Sequence, residues 1–327
     1  MTGSVRFLSA ADIAALALPP EAAREAVASL FRAHYAGRAH ALPKLAIDIG
    51  PGHAFQSLCA ASTEIGLAAN KWLGMTSASE PSVGSIHALI ALNNYASGQL
   101  VAILDGGSIT AIRTAAMSAA AAQFLARGDS RSIGFVGCGL QARAHLSAMG
   151  ALLPTLRRVL AFDGGRRSTR RFAGEATAQG FDAVVLDNAE QLVRACDILV
   201  TSVPMRSDFV PFLAVDWIAP GAFIAAIDVA RSFLPDRLRC LDIVTTDDHE
   251  QQAQHPIAPD LGAIGTFDAD LSELAAGAKP GRTRPDQRTM FVFRGFALAD
   301  LAVAALALRL AEARDVGTTL PWGLPNR

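Results

Sequence analysis

The apolar positions of the chain follow one rhythm before residue 107 and another after residue 128. Residues 9–38 show a helical period that is broken at Pro19 and Pro20. Short apolar runs follow and predict strands at KLAIDI, AFQSLCA, ANKWLGM, SIHALIAL and LVAILD, the last two joined by the turn NNYASGQ. The first region is therefore predicted to be a mainly antiparallel sheet with helices.

Residues 109–128 are rich in alanine and predict a long helix, capped by Thr110 and ended by Gly128. Strands then alternate with helices, and a long apolar helix begins at Gly295. The predicted strands are SIGFVG, RRVLAFD, DAVVL, DILVTSV, AFIAAID, DIVTTDD and TMFVF. Such alternation predicts a parallel sheet with helices on both faces. The expected fold is α/β, a Rossmann-type doubly wound parallel sheet over 116–304 beside an α+β domain over 1–115.

Composition and charge narrow the class of protein. The 327 residues are 51% apolar and 18% charged, which indicates a folded globular chain. A net charge of −1 gives no indication of a nucleic-acid or membrane partner. The N-terminus lacks a signal-peptide pattern, and the apolar C-terminal helix carries Asp300 and Arg309, as core helices do. With four scattered cysteines, a cytoplasmic protein is expected.

The segment GFVGCGLQARAHL joins a predicted strand to a predicted helix through a G-x-G-x-x-A pattern. Gly137 permits the tight turn, Gly139 lets the backbone approach a pyrophosphate, and Ala142 lets helix and strand pack closely. The helix would present its positive end near Leu140 and Gln141 to that pyrophosphate. A tight turn without a ligand is the alternative.

Asp163 ends the next predicted strand, where an acidic residue is expected to accept a hydrogen bond from a ribose 2′-hydroxyl. A carboxylate at this place favours NAD because it repels a 2′-phosphate. Arg166 and Arg167 follow, and they either hold such a phosphate or begin a solvated helix. NAD is the expected cofactor, and NADP stays open.

The chain resembles the ornithine cyclodeaminase/mu-crystallin family in segments along much of its length. The matching segments are LPK, NKWLG, GSITAIRTAAMSA, GFVGCGLQARAHL, CDILVTSVP, GAKPGRT and VFRGFALADLAVA. The resemblance implies a two-domain NAD(P)-dependent protein, a homodimer through its N-terminal domain, to which residues 305–327 return. Members include ornithine cyclodeaminases, alanine dehydrogenases, imine reductases and mu-crystallin, which also binds a hormone.

Two cationic side chains are the main candidates for substrate binding. Arg113 is expected in the first turn of its helix, where the helix dipole and the guanidinium fork favour a substrate carboxylate. Lys71 interrupts an apolar strand, so it either faces solvent from an edge or exchanges a proton in a pocket. The resemblance implies that Arg113 binds the substrate carboxylate and that Lys71 touches the carboxylate or the amine.

Other substrate candidates are weaker. Lys44 stands where many family members have a carboxylate-binding arginine. Gln56 and His87 are further candidates, with a core or surface role as the alternative for each.

Asp228 ends the predicted strand AFIAAID, where ligands of parallel sheets gather. In cyclodeaminases of the family, an aspartate of this loop is proposed to handle the amine proton. Here the carboxylate either stands two residues earlier or is missing, with Ala230 in its place, which counts against a cyclodeaminase. For Asp228, a helix cap or a pair with Arg231 is the alternative. Further cofactor contacts are expected from Arg113, Thr114, Thr201, Ser202, Val203, Asp228 and Gly295.

The expected function is hydride transfer between a nicotinamide and the α-carbon of a small imino or amino acid. Iminosuccinate, iminopropionate and pyrroline-2-carboxylate are candidates, and several cations around one pocket would suit a dicarboxylate. Lys71, or Asp228 through water, would protonate the nitrogen. An ornithine cyclodeaminase and a non-catalytic ligand carrier are the alternatives. No metal is expected, because His249 and His255 flank EQQAQ without a known ligand spacing.

Overall fold

The computed structural model describes residues 3–50, 53–76, 86–204, 209–254 and 264–323. They divide into two compact units. The first unit holds the residues up to Arg113 and from Phe296 onwards, and the second holds Thr114–Gly295. The return to the first unit was expected at residue 305, which lies inside the continuous helix Ala297–Arg314. The unit therefore takes in that helix from its start.

The first unit is built on a mostly antiparallel sheet with helices. Its elements are β1 Gly3–Leu8, α1 Ala10–Leu16, α2 Pro20–Tyr35, β2 Ala39–Ala41, β3 Leu45–Asp48, β4 His53–Ser62, β5 Leu67–Thr76, β6 Ile86–Asn94, β7 Leu100–Asp105, the start of α3 Gly106–Leu125, α9 Ala297–Arg314 and β16 Thr318–Trp322. The sheet order is β16-β1-β7-β6-β5-β4-β2, with β3 paired to β4. The hairpin predicted between β6 and β7 is present, with a register shift after Leu92.

Helix α9 packs on β4, β5 and β6, and this contact divides the faces of the sheet. Along β5, Ala69, Lys71 and Leu73 are buried while Asn70 and Trp72 are exposed, as the two-residue period of a strand requires. Most of α9 is buried, although it carries Asp300. In the part of the chain that the structure describes, no helix is long and apolar enough to cross a membrane.

The second unit is a doubly wound parallel sheet. Its elements are β8 Ser132–Val136, α4 Leu140–Leu152, β9 Arg158–Phe162, α5 Arg166–Ala178, β10 Asp182–Val185, α6 Ala189–Ala195, β11 Ile198–Thr201, β12 Phe223–Ala226, β13 Ile243–Thr246, α7 His249–Gln254, β14 Ala269–Asp270, α8 Leu271–Ala276 and β15 Thr289–Val292, with 3-10 turns at Val215–Trp217 and Pro235–Cys240. The order β10-β9-β8-β11-β12-β15-β13-β14 reverses direction between β8 and β11. Ligands bind at such a switch point. The predicted fold class is confirmed.

Helix α3 begins earlier than the sequence predicted. It starts at Gly106, so Thr110 lies inside the helix and Arg113 lies in its second turn. Asp105 does the capping instead, because its Oδ1 accepts a 2.7 Å hydrogen bond from the N–H of Ser108. The helix also ends at Leu125, before the predicted stop at Gly128.

Candidate active site

Lys71 lies on the covered face of the first sheet, and its ammonium group meets a carboxylate from α9. Its Nζ donates a 2.9 Å hydrogen bond to Oδ1 of Asp300, and both side chains are 1% exposed. The hydroxyl of Thr110, on α3, lies 3.4 Å from the same Nζ. The sequence candidate Lys71 is therefore a buried residue and not an edge lysine.

Arg113 belongs to the same group of side chains. Its Nε lies 3.1 Å from Oδ1 of Asp300, so one carboxylate oxygen faces two cations. The other oxygen, Oδ2, is buried and has no hydrogen-bond partner among the described residues. We call Lys71, Thr110, Arg113 and Asp300 the Lys71 cluster. It joins the two cations that the sequence proposed for substrate binding.

The surroundings of Lys71 lower the pKa of its ammonium group. Burial, and after it the nearby charge of Arg113, lower the pKa of Lys71, while Asp300 raises it, and together they bring that pKa to about 8. A lysine with a pKa near neutrality can exchange a proton with a substrate nitrogen. The cluster therefore has the electrostatics of an acid–base site.

The remaining substrate candidates lie at different places around this sheet. Gln56 is half-buried and shares the covered face with Lys71, because Leu58 stands opposite Lys71 and Gln56 is the next residue of β4 on that face. Lys44 is half-buried and directly precedes β3. His87 stands opposite Gly74, so it points to the other face and is exposed. His87 therefore lies apart from the Lys71 cluster.

Asp300 is the charged member of the cluster that sequence reasoning did not assign to a site, and Thr110, expected only as a helix cap, is the uncharged one. The charge of Asp300 was interpreted as a sign of a core helix. The available signal was a single carboxylate within a run of apolar residues, ALADLAVAALAL, whose side chains are almost all buried. A buried carboxylate needs a cationic partner, but the sequence does not say which one.

The turn after β8 in the second unit has the shape that the G-x-G-x-x-A pattern predicts. Gly137 has a φ of +94°, and a Cβ placed on it would lie 2.7 Å from the carbonyl oxygen of Ser202. Ala142 is fully buried, as close packing of helix and strand requires. Glycine is thus required at position 137 both by its backbone angle and by the space around it.

The first turn of α4 is open to a ligand. Gly139 is its N-cap residue, no side chain caps it, and a Cβ at position 139 would meet no atom within 4 Å. Leu140 is exposed beside it. Free N–H groups at the positive end of a helix bind phosphate well, so the residues present fit a dinucleotide pyrophosphate.

Asp163 follows β9 and lies against the glycine turn. Its carboxylate accepts hydrogen bonds from the N–H of Cys138, at 2.9 Å, and from the hydroxyl of Ser168, at 3.1 Å. Arg166 begins α5, and its guanidinium lies 3.7 Å from the carboxylate of Asp187. The carboxylate of Asp163 is therefore held beside the turn. A carboxylate at this place favours a ribose hydroxyl over a 2′-phosphate.

Asp228 is buried at the carboxyl end of β12 and is held by three donors. The hydroxyl of Thr201 donates to its Oδ1 at 2.7 Å, the hydroxyl of Ser232 donates to Oδ2, and the N–H of Val203 also donates to it. Burial raises the pKa of Asp228 in spite of these donors. The carboxylate thus ties two loops together, and the charge of Arg231, its partner in the alternative interpretation, also acts on it.

The loop after Asp228 carries backbone strain. Val229 and Ala230 have φ angles of +60° and +55°, a region that residues with a Cβ rarely adopt. Ala230, at the place of the expected cyclodeaminase aspartate, is fully buried. The loop is therefore shaped around the inward-facing Asp228.

Other predicted cofactor residues have structural contacts of their own. The hydroxyl of Ser202 donates to the carbonyl of Gly137 at 3.2 Å, and the N–H of Gly295 donates to the carboxylate of Asp247 at 2.8 Å. Thr114 is buried in α3, and Gln141 is half-buried with an Oε1 that has no hydrogen-bond partner among the described residues. These residues remain predictions as cofactor contacts.

Within the described residues, His249, Asp270 and Glu273 bring three possible metal-ligand atoms together. Asp270 and Glu273 form the capping box of α8, and Nε2 of His249 lies 3.1 Å from Oε2 of Glu273. Helix capping explains this arrangement. His255, the other histidine that the sequence brought up, lies outside the described residues.

Residues 5–312 match the model of the ornithine cyclodeaminase/mu-crystallin family. The chain belongs to this family. The resemblance inferred from its motifs is therefore confirmed, and the match takes in both units of this family member.

Known relatives resemble this family member along nearly all of its length. The alanine dehydrogenase of Archaeoglobus fulgidus is 31% identical over 92% of this chain and 93% of its own. The structure of an archaeal alanine dehydrogenase dimer with bound NAD has a TM-score of 0.89 at 27% identity, covering 98% of this chain and 100% of that one. The Thermococcus litoralis Δ1-pyrroline-2-carboxylate reductase, in complex with NADH and L-proline, has a TM-score of 0.88 at 26% identity, covering 96% and 99%.

Proposed function

We propose that this protein is an NAD(H)-dependent oxidoreductase that reduces a small α-imino monocarboxylate to the corresponding amino acid. The observation that carries the proposal is the Lys71 cluster, in which two buried cations share one carboxylate. The related alanine dehydrogenase and pyrroline-2-carboxylate reductase act on amino or imino acids and support the oxidoreductase class.

The second unit supplies the cofactor site. The pyrophosphate would lie on the turn with Gly137 and Gly139 and bind the first N–H groups of α4. The carboxylate of Asp163 would accept a hydrogen bond from a ribose hydroxyl. NADH supplies the hydride that is added to the imine carbon. NAD(H) is favoured over NADP(H) because Asp163, a carboxylate, lies at the turn.

The charge of the Lys71 cluster indicates the substrate class. Lys71 and Arg113 place two positive charges beside the carboxylate of Asp300, and all three side chains are buried. Two neighbouring cations favour an anionic ligand, and the names of the related alanine dehydrogenase and pyrroline-2-carboxylate reductase point to substrates with one carboxylate. We therefore propose a monocarboxylate such as pyrroline-2-carboxylate or iminopropionate, in preference to the dicarboxylate iminosuccinate.

The residues of the cluster divide the work. Arg113 binds the substrate carboxylate through its guanidinium fork. The ammonium of Lys71 gives a proton to the substrate nitrogen as the amine forms, and its lowered pKa makes that transfer easy at neutral pH.

The loop after β12 disfavours the cyclodeaminase reaction. That reaction was expected to need an acidic group at the amine of ornithine. Here Asp228 already accepts hydrogen bonds from Thr201, Ser232 and Val203, and Ala230 has no carboxylate.

We also propose that the protein works as a homodimer through its first unit. One face of the sheet carries a row of four outward side chains, three of them apolar, in which Leu45 stands opposite Ser57, Ser57 opposite Trp72, and Trp72 opposite Leu89. Leu45, Trp72 and Leu89 are all substantially exposed. Exposed apolar patches of this kind mark protein interfaces. The cytoplasmic location remains a prediction.

Loss of NADH absorbance would test the function. The purified protein is assayed with pyrroline-2-carboxylate, with pyruvate and ammonia, and with oxaloacetate and ammonia. We expect turnover of a monocarboxylate imine and a loss of kcat of about 10² to 10⁴ in Lys71→Met, the contribution of one general acid. Lys279→Met, the same change at an exposed lysine of the second unit, is the control and should leave kcat unchanged.

Three outcomes would contradict the proposal. Turnover restricted to the oxaloacetate mixture would show a dicarboxylate site. Proline and ammonia formed from ornithine without net NADH would show a cyclodeaminase. NADH binding without turnover of any imine would favour the ligand carrier.

A further inference from the structure

Asp300 is poorly explained as a stabilising residue of the core. Buried ion pairs stabilise a fold little compared with apolar side chains of similar size, because the charges lose their hydration. Here Oδ2 of Asp300 is also buried without a hydrogen-bond partner among the described residues. A buried acceptor without a hydrogen bond destabilises the folded state, because it has lost its hydration. A buried carboxylate that does not stabilise the fold indicates a role in function.

We propose that Asp300 is a positioning residue that holds the Lys71 ammonium beside the Arg113 guanidinium and keeps Lys71 protonated for the reaction. The inference rests on the proposed function and extends it to a residue outside the predicted site. Asp300 need not touch the substrate, since it acts through the two cations that its Oδ1 contacts at 2.9 Å and 3.1 Å.

The groups that face Lys71 come from four elements. Helix α3 contributes the charge of Arg113 and the neutral hydroxyl of Thr110, and α9 contributes the charge of Asp300. On the neighbouring strands β4 and β6, the residues opposite Lys71 are the apolar Leu58 and Ile90. Of these facing groups, only Asp300 carries a negative charge, and this charge stabilises the protonated form.

The balance of these influences places Lys71 close to neutrality. Burial and Arg113 favour the neutral amine, Asp300 favours the ammonium, and the result is a pKa of about 8. Without the carboxylate, the first two influences remain. Lys71 would then lose its proton at a lower pH and would be neutral under the conditions in which the proton is needed.

The step that depends on this proton is balanced within the proposed reaction. Hydride adds to the imine carbon, the electron pair of the C=N π bond moves to nitrogen, and an N–H bond of Lys71 breaks to give that nitrogen a proton. Lys71 is left as a neutral amine and regains a proton from water. Asp300 keeps its charge throughout.

The titration of Lys71 can be measured directly because the chain holds three lysines, at positions 44, 71 and 279. Protein labelled with ¹³C-lysine would give three Cε signals, which Lys44→Arg and Lys279→Arg would assign. We expect a midpoint near 8 for Lys71. In Asp300→Asn the midpoint should fall by about one to three pH units, the usual effect of a close opposite charge. Asp300→Glu, which keeps the charge, should restore it towards the wild-type value.

The pH profile of imine reduction gives a second readout. Rate should fall as pH rises through the Lys71 midpoint, and Asp300→Asn should move this fall to lower pH by the same amount as the NMR midpoint. Below both midpoints the variant should recover most of its kcat. A residue with a merely structural role would lower the rate by the same factor at every pH.

These measurements separate the inference from the proposed function. The NMR titration needs no turnover, so silence in the imine assay would refute the function and leave the titration to decide the role of Asp300. An unchanged Lys71 midpoint in Asp300→Asn would overturn the inference. If that variant does not fold, Arg113→Gln, which retains the pair of Lys71 and Asp300, should raise the midpoint above the wild-type value. A midpoint that stays or falls there would equally overturn it.

Discussion

At the scale of single residues, two glycines of one turn have different tasks. Gly137 is required by the protein itself, since its φ is +94° and the carbonyl of Ser202 occupies the space of a side chain. Gly139 has open space around the position of a Cβ, so the protein alone would accept a side chain there. We therefore propose that Gly139 leaves room for the cofactor, whereas Gly137 is required by the fold.

We expect alanine at these two positions to separate stability from cofactor binding. Gly137→Ala should lower the free energy of unfolding by about 1 to 3 kcal/mol, through backbone strain and the contact with Ser202. Gly139→Ala should melt close to wild type but bind NADH more weakly, because its methyl group would occupy the space left for the pyrophosphate. Thermal unfolding and NADH fluorescence titration measure the two effects. Unchanged NADH affinity in Gly139→Ala would show that the pyrophosphate does not approach there.

At the scale of elements, the start of α3 determines whether the Lys71 cluster can form. A Cβ on Gly106 would lie 2.7 Å from the Cβ of Ala88 on β6, so the helix begins in close backbone contact with the sheet. This contact brings Thr110 and Arg113, in the second turn, to Lys71 and Asp300. Packing of one helix end on one strand thus places two members of the cluster.

The adjacent glycine provides a matched control for this role. Gly106→Ala should force α3 away from β6, reduce stability by about 1 to 3 kcal/mol through overpacking, and lower kcat/KM for the imine. Gly107 is exposed, and its Cβ would have Asp105 Oδ1 as nearest atom, at 3.5 Å. Gly107→Ala should therefore be neutral or slightly stabilising. Urea unfolding and steady-state kinetics would measure both variants, and equal behaviour of the two would contradict the packing argument.

At the scale of the whole molecule, the two faces of the first sheet have different environments. The face that carries Lys71 is covered by α9, whereas the face that carries Leu45, Trp72 and Leu89 leaves large apolar side chains exposed. Trp72 stacks on Phe55 there, with ring centroids 5.8 Å apart. A surface of this kind favours association with a second copy of the chain.

We expect Trp72→Asp to convert the proposed dimer into a monomer, because a charge would then be buried in an apolar interface. Size-exclusion chromatography with light scattering gives the molar mass directly. Val210→Asp is the control, since Val210 is a more exposed apolar residue that belongs to the second unit. A dimer that survives Trp72→Asp, or a wild-type protein that is monomeric, would place the interface elsewhere or remove it.

The local sequence pattern predicted most elements of both units. The strands β3 to β7 and the alternating elements from β8 onwards each contain enough apolar residues within a few positions to be recognised. The strands β1 and β16 were not predicted. They pair with each other across nearly the whole chain, with Val5 opposite Leu320, and neither segment carries a strong pattern of its own. Such strands are defined by their partners and not by their own sequence.

The features of the candidate site also fall into those that the local sequence shows and those that only the folded chain brings together. By itself the sequence determined the G-x-G-x-x-A turn and the family, and it singled out Lys71 and Arg113 as candidates, because motifs depend on residues close together in the chain. Only the tertiary structure decided that His87 points away from Lys71, since strand register sets the face. It also decided that Asp300, 229 positions from Lys71, is its partner. A buried charge must be compensated in space, and no local pattern says which distant residue will do so.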